Sequence, residues 1–327
     1  MSRFFWLDGL DRDLREHVLF SLRVLWTQAS NALEGNTFSK GDTLFFLREG
    51  LTVSGKTLQE HLDIKGHSDA VERMAEMTAG GAPLGERELF ELHRLVQTAT
   101  VTNAYRPVGA WKRENNGTQI EEDGKLVWHE YPSFEQTPKL MERWIAEFAT
   151  LSPQDRAEAL LCYAKAHISF VSIHPFFDGN GRMARLLANF PLLRNGFPPI
   201  IIQRSAQREY ISLLSAFQKM QSAPFPAVAD CQAFTALLET QWSETWEIIG
   251  EAHRTQAARH KMSGVEGPGP AEQDNEAGME AVHRSAGPCA APAKVAHLAR
   301  QKSETFLRRS AASGMSMQAL PSGETGS

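Results

Sequence analysis

Ile173-His174-Pro175-Phe176-Phe177-Asp178-Gly179-Asn180-Gly181-Arg182-Met183-Ala184-Arg185 decides the reading of this chain. A proline disfavours the helical region at the residue before it, so a helix arriving at Ile173 ends at His174. Gly179-Asn180-Gly181 gives a flexible backbone whose N–H groups can converge. Arg182 then opens another helix, with Met183, Leu186, Leu187 and Phe190 on its apolar side. Convergent N–H groups at a helix N-terminus make an anion site, and the helix dipole adds to it. Arg182 and Arg185 stand three apart, so both can reach that anion. Asp178 is a hard oxygen ligand suited to a magnesium ion shared with phosphate oxygens. His174 is a plausible general base at neutral pH. The stretch therefore predicts a nucleotide polyphosphate site with a base beside it.

Helical periodicity surrounds the stretch on both sides. Leu14, Val18, Leu22, Leu25, Trp26, Ala29 and Leu33 recur at three- and four-residue steps, predicting a helix from about Asp11 to Leu33 that stops at Gly35-Asn36. Further helices are expected at Lys40–Glu49, Leu58–Met77, Glu86–Thr98 and Pro138–Thr150. Another is expected at Pro153–Ser172, opened by Ser152 as cap and Pro153 at the first position. The remaining ones fall near Arg182, over Ala206–Gln221 and from about Asp230 to Thr255. Between Tyr105 and Pro132 the character changes. Asn115-Asn116-Gly117 and Asp123-Gly124 are turn signals and Val127-Trp128 reads as extended, which predicts a β-hairpin inserted among helices. The expectation is an all-α bundle with a small hairpin. It divides into an N-terminal helical region at 1–100, a core at 101–255 and a tail at 256–327. That tail is rich in Gly, Pro, Ala and Ser, with Phe306 its only aromatic residue. It is expected to be disordered apart from a weak helix at Ala293–Arg309, because it cannot bury enough apolar surface to offset its ordering entropy. The basic pair Arg308-Arg309 could touch an acidic partner, although a solvated tail is the plainer reading.

Composition narrows the class. Of 327 residues 42% are hydrophobic, enough for a sizeable core without a metal or disulfide staple. Thirty-four Lys and Arg against 39 Asp and Glu give a net charge of −5, so no global nucleic-acid footprint exists. No run approaches the roughly 20 apolar residues of a membrane span, and no signal peptide is evident. Cys162, Cys231 and Cys289 are widely spaced and odd in number, which predicts reduced thiols in a cytoplasmic protein.

The stretch HPFFDGNGRMAR resembles the signature of the Fic family, HPFx[D/E]GNGRxxR, with no departure. The resemblance covers roughly residues 11–250 and implies a Fic-type helical bundle. Most such proteins transfer AMP from ATP to a protein hydroxyl. Carried over by position, His174 would deprotonate a Ser, Thr or Tyr hydroxyl, on another protein or on itself. Asp178 would hold Mg²⁺ between the α- and β-phosphates, and Gly179, Asn180 and Gly181 would form the anion hole. Arg182 would neutralise the α- and β-phosphates, and Arg185 would bind the γ-phosphate. Displacement at phosphorus needs positioning and charge neutralisation more than covalent help, which suits this set.

Ser30-Asn31-Ala32-Leu33-Glu34-Gly35-Asn36 resembles the family's inhibitory motif [S/T]xxxE[G/N], in the class with an N-terminal inhibitory helix. The resemblance implies that Ser30, Glu34 and Gly35 mark that helix end, with Glu34 pairing Arg185 and excluding the γ-phosphate. The hairpin falls where the family places its target-holding flap, with Val127, Trp128, His129 and Glu130 nearest the helices and a polar insertion around Glu114–Asp123. Tyr210 falls at an adenosine-contacting position; Ile211 and Gln218 depart from the tyrosine and asparagine often found there and further on. Members of this class often form homodimers. Two other readings stay open: removal of AMP from a modified protein, with Glu34 aligning water, and a non-catalytic regulator binding nucleotide or protein through the same cleft. A related branch that phosphorylates with reversed nucleotide departs from the GNGR pattern, so the intact Gly181 argues against it.

Overall fold

A computed structural model describes residues 4–98, 106–122, 124–220 and 224–263. The expected tail helix at 293–309 lies outside them. Four helices come first: α1 (Arg12–Leu33), α2 (Lys40–Glu49), α3 (Leu58–Ala79) and α4 (Glu86–Val96). Local chemistry sets their starts. Ser39 accepts from the Asp42 N–H while Asp42 accepts from the Ser39 N–H. Thr57 and Glu60 repeat that reciprocal cap on α3. Hydrogen bonds from Thr37 and from the Thr57 and Thr37 N–H groups hold the Glu60 carboxyl down to about 2.

A two-stranded antiparallel hairpin follows, β1 (Gly117–Glu122) and β2 (Lys125–Glu130), in register Gly117↔Glu130 to Glu122↔Lys125. The polar stretch expected as an insertion at 114–123 is mostly β1 itself. Its polarity suits a ribbon whose partner strand leaves Leu126, Val127 and Trp128 in solvent.

The rest is helical: α5 (Thr137–Phe148), α6 (Arg156–Ile173), α7 (Asn180–Leu187), α8 (Phe190–Arg194), α9 (Gln207–Met220) and α10 (Gln232–Ser263). α6 starts three residues later than expected. Asp155 supplies the cap by accepting from the Glu158 N–H at 2.8 Å, while the Ser152 hydroxyl turns to Asn195. α10 continues past Thr255 because its last turns hold the N-terminus: Gln256 donates to Asp11 at 3.0 Å and Arg259 pairs Asp13 at 2.6 Å.

α6 is the central element. Tyr163, Ala166, His167, Phe170 and Ile173 are wholly buried on it, against Trp144 and Phe148 of α5 and Leu238 and Trp242 of α10. Each such large side chain contributes about 1.5–3 kcal/mol by burial. Val18, Leu25 and Ala29 of α1 enter the same core, so the N-terminal helices lie directly against α7 and its loop. Among the described residues no helix is long and apolar enough to cross a membrane.

Candidate active site

α6 ends on His174, which takes a left-handed conformation (φ 51°, ψ 58°), the one non-glycine residue with positive φ among those described. That conformation costs about 1–2 kcal/mol in an L-residue, and such strain collects at functional sites. It turns the chain out of the helix and into the signature loop. Nδ1 faces the Val171 carbonyl at 3.4 Å, which assigns the proton to Nδ1 and leaves the Nε2 lone pair free. Burial and then the Lys112 ammonium push His174 down to about 4, against opposing effects of the Val171 carbonyl, Asp178 and Glu34. The ring is therefore neutral at pH 7 and able to accept a proton.

The loop behind it is closed by one side chain. Asn180 accepts from the Phe176 N–H at 3.0 Å and donates to the Phe176 carbonyl at 2.9 Å. His93 of α4 ties the loop from below. It accepts the Gly109 N–H at Nδ1, so its Nε2–H donates to the Asp178 carbonyl, and its ring stacks on Phe176 at 3.7 Å. Burial lowers His93 to about 4, consistent with that neutral tautomer. Gly179 takes φ 78°, and a Cβ there would collide with Gln97. The Gly179 N–H donates to the exposed Asp178 carboxylate at 2.7 Å, and the first helical bond of α7 runs from the Met183 N–H to the Gly179 carbonyl. The N–H groups of Asn180, Gly181 and Arg182 precede that bond, as an anion site requires.

Both arginines meet carboxylates from the N-terminal helices. Arg185 donates to Glu34 at 2.6 Å, and to the Ser30 hydroxyl and carbonyl at 3.1 and 2.9 Å. Glu34 is the C-cap of α1, and its Oε1 lies only 2.5 Å from where a Cβ on Gly181 would stand. Any side chain at position 181 would thus collide with the carboxylate. The Ser30, Glu34 and Gly35 helix end therefore sits on the anion loop, 151 residues away in sequence from Arg185. Arg182 donates to Asp63 of α3 at 3.0 Å and to the Val96 carbonyl at 3.4 Å. Glu34, Asp63, Asp178 and Arg182, with Asn31 and Gln97, line a polar cavity of about 230 Å³.

Tyr210 packs behind the second of these arginines, Arg185. Its ring is buried and its hydroxyl accepts from Arg185 at 3.3 Å and meets His167 Nε2 at 3.1 Å, so it backs the arginine. Val127 and Trp128 are exposed on β2, with His129 half-buried and Glu130 exposed. Asp63, His93, Gln97, Lys112 and Tyr131 escaped the sequence reading. His93 in the apolar row of α4 was the most visible clue, and the others carry no local signal.

Residues 83–192 match the Fic/DOC family. The chain is 32% identical over 251 residues to protein adenylyltransferase fic-1 of Caenorhabditis briggsae, covering 73% of this chain and 46% of that protein. It is 32% identical over 208 residues to protein adenylyltransferase Fic of Drosophila melanogaster, covering 62% and 39%. It thus spans less than half the length of these curated relatives. A Fic domain containing signaling protein from Bacteroides thetaiotaomicron superposes with TM-score 0.66 at 25% identity, over 77% of this chain and 94% of that one. Fic-1 of Caenorhabditis elegans shares the fold, with TM-score 0.55 at 23% identity over 76% of this chain and 67% of that one. The fold is a helical bundle with a two-stranded hairpin fastened to the loop before α7. Residues 83–192 carry the match to the Fic/DOC family, and the chain around them is similar in fold to a Fic domain containing protein.

Proposed function

We propose that this protein transfers AMP from ATP to a hydroxyl of a target protein, and that Glu34 holds the reaction in check. The observation that carries the reading is a neutral His174 at the head of one short loop, with the N-terminus of α7 at its far end and a carboxylate seated on Arg185 of that helix. His174 Nε2 accepts the proton of a Ser, Thr or Tyr hydroxyl. The oxygen forms a bond to the α-phosphorus, and the bond from that phosphorus to the bridging oxygen breaks, releasing pyrophosphate. The start of α7 and Arg182 neutralise charge building on the phosphates. Asp178 is exposed at the cavity and is the carboxylate that would hold Mg²⁺, an ion that keeps few protein ligands and takes the rest from phosphate and water. A phosphate brought beside His174 raises its proton affinity, offsetting the low value of the empty site. The exposed hairpin strand offers a free edge on which a target segment can pair.

Glu34 competes with the γ-phosphate for Arg185. Burial opposes the arginine's charge, while Tyr210 and Glu34 outweigh it and keep it charged. A second reading, removal of AMP, draws on the same carboxylate, because Glu34 lines the cavity beside Asp178 where it can order a water. Glu34→Gly separates the two. Labelled AMP incorporation should rise sharply if Glu34 is a competitor. Release of AMP from a modified target should vanish if Glu34 positions water. A variant unchanged in both assays would reduce Ser30–Gly35 to a helix end.

A further inference from the structure

Tyr131 follows β2 directly, and its ring lies flat on the imidazole of His174, with centroids 3.9 Å apart and planes 7° from parallel. The tyrosine is itself pinned on several sides and is 7% exposed. Its N–H donates to the Asn116 carbonyl at 3.0 Å, and its hydroxyl accepts from Gln218 Nε2 at 3.3 Å. Asn116 in turn donates to the Phe176 carbonyl at 3.1 Å and accepts from the buried Lys112 ammonium at 2.7 Å. The Lys112 N–H donates to the Pro175 carbonyl at 2.9 Å. The two ends of the hairpin are thereby fastened to His174 and to the Pro175 and Phe176 carbonyls that follow it.

His174 has much weaker anchorage of its own. Its one side-chain hydrogen bond among the described residues, to the Val171 carbonyl, is 3.4 Å long. A contact of that length aligns a ring poorly, and rotation about the bond to an imidazole is soft. We infer that Tyr131 is the positioning residue for His174, setting the plane of the base through the stack and tying it to the hairpin that would hold the target. This rests on the transferase reading above, in which His174 accepts the proton. A base whose Nε2 must face a hydroxyl within hydrogen-bond reach loses rate when its plane is free to turn. The signal is invisible in the signature itself, because the ring comes from a segment 43 residues earlier.

The test uses the full chain. In the Glu34→Gly background, Tyr131→Phe keeps the ring and is expected to retain kcat within about twofold, whereas Tyr131→Leu should lose at least about tenfold in kcat with the KM for ATP little changed. A Leu variant as fast as its parent, or a Phe variant as slow as Leu, overturns the inference. A second readout is independent of turnover. In the wild-type protein the His174 ring protons should resonate upfield, shifted by the tyrosine ring current. The shift should survive Tyr131→Phe and vanish in Tyr131→Leu. An unshifted His174 in the wild type overturns the inference even if Tyr131→Leu fails to fold. If Glu34→Gly transfers no AMP, the transferase reading fails by itself, and the ring-current shift still decides whether the stack exists.

Discussion

Arg182 and Arg185 sit three residues apart on α7, and each meets a carboxylate from the N-terminal helices, yet the two pairs are built for different ends. Arg185 is buried while its partner Glu34 is 43% exposed. Glu34 stands at the C-cap of α1, where the helix dipole disfavours an anion. Its carboxylate can leave by rotation of one side chain. Asp63 is 18% exposed, lies inside α3 and also accepts from Gln59 at 3.2 Å. Arg182 is further fixed by the Val96 carbonyl. An ion pair is therefore not a lock merely by existing. A lock needs a partner that can leave and that occupies the ligand's place, the role proposed above for Glu34, whose carboxylate lies over Gly181.

The contrast can be sharpened by removing the base and leaving both arginines in place. His174→Ala in the Glu34→Gly background should lower AMP transfer by about 10²–10⁴-fold while ATP affinity persists. Transfer within about tenfold of the parent, a barrier change near 1.4 kcal/mol, would place the base elsewhere.

Acidification tests the frame beneath the arginines. Burial lowers His67 to about 3, with Arg185 and Arg182 adding to it, and lowers His93 to about 4. In the unfolded chain both titrate near 6.5. As pH falls from about 6.5 towards 4 the unfolded state takes up protons that the native state refuses, so stability falls across that window. Each histidine contributes up to about 1.4 kcal/mol per pH unit. Urea midpoints measured at pH 7 and pH 5 should separate accordingly, and equal midpoints would contradict the neutral clamp that His93 forms.

A smaller effect is expected at Asp63. Asp63→Asn removes one charge of a nearly buried pair and should cost about 1–3 kcal/mol of stability. It should leave the wild-type background as silent in AMP transfer as before. If Asp63→Asn activates transfer as Glu34→Gly does, the distinction between the two pairs collapses.

The helices were legible because their apolar periodicity and caps are local, and the loop was legible because its chemistry is concentrated in twelve residues. His174 as a helix end followed from the proline after it, whereas the close approach of Glu34 to Gly181 did not show in the sequence. Nor did the start of α6, because Asp155 and Ser152 are equally good caps and the Asn195 contact that occupies Ser152 is 43 residues away. The orientation of Tyr210 was also hidden. Its contacts with His167 and Arg185 arise only once α6, α7 and α9 are packed. Asp63, Lys112 and Tyr131 belong to contacts across long separations, for which one sequence holds no local mark.

The competition at Arg185 is tested most directly by equilibrium affinities of ATP and ADP for the wild-type protein and for Glu34→Gly, in the presence of Mg²⁺. Only ATP carries the γ-phosphate that must displace Glu34. The expected result is that Glu34→Gly tightens ATP binding about tenfold or more, in line with a charge-assisted contact of about 1.5–3 kcal/mol, and tightens ADP binding much less. Equal changes for the two nucleotides, or none for either, would contradict the claim that Glu34 occupies the γ-phosphate's place.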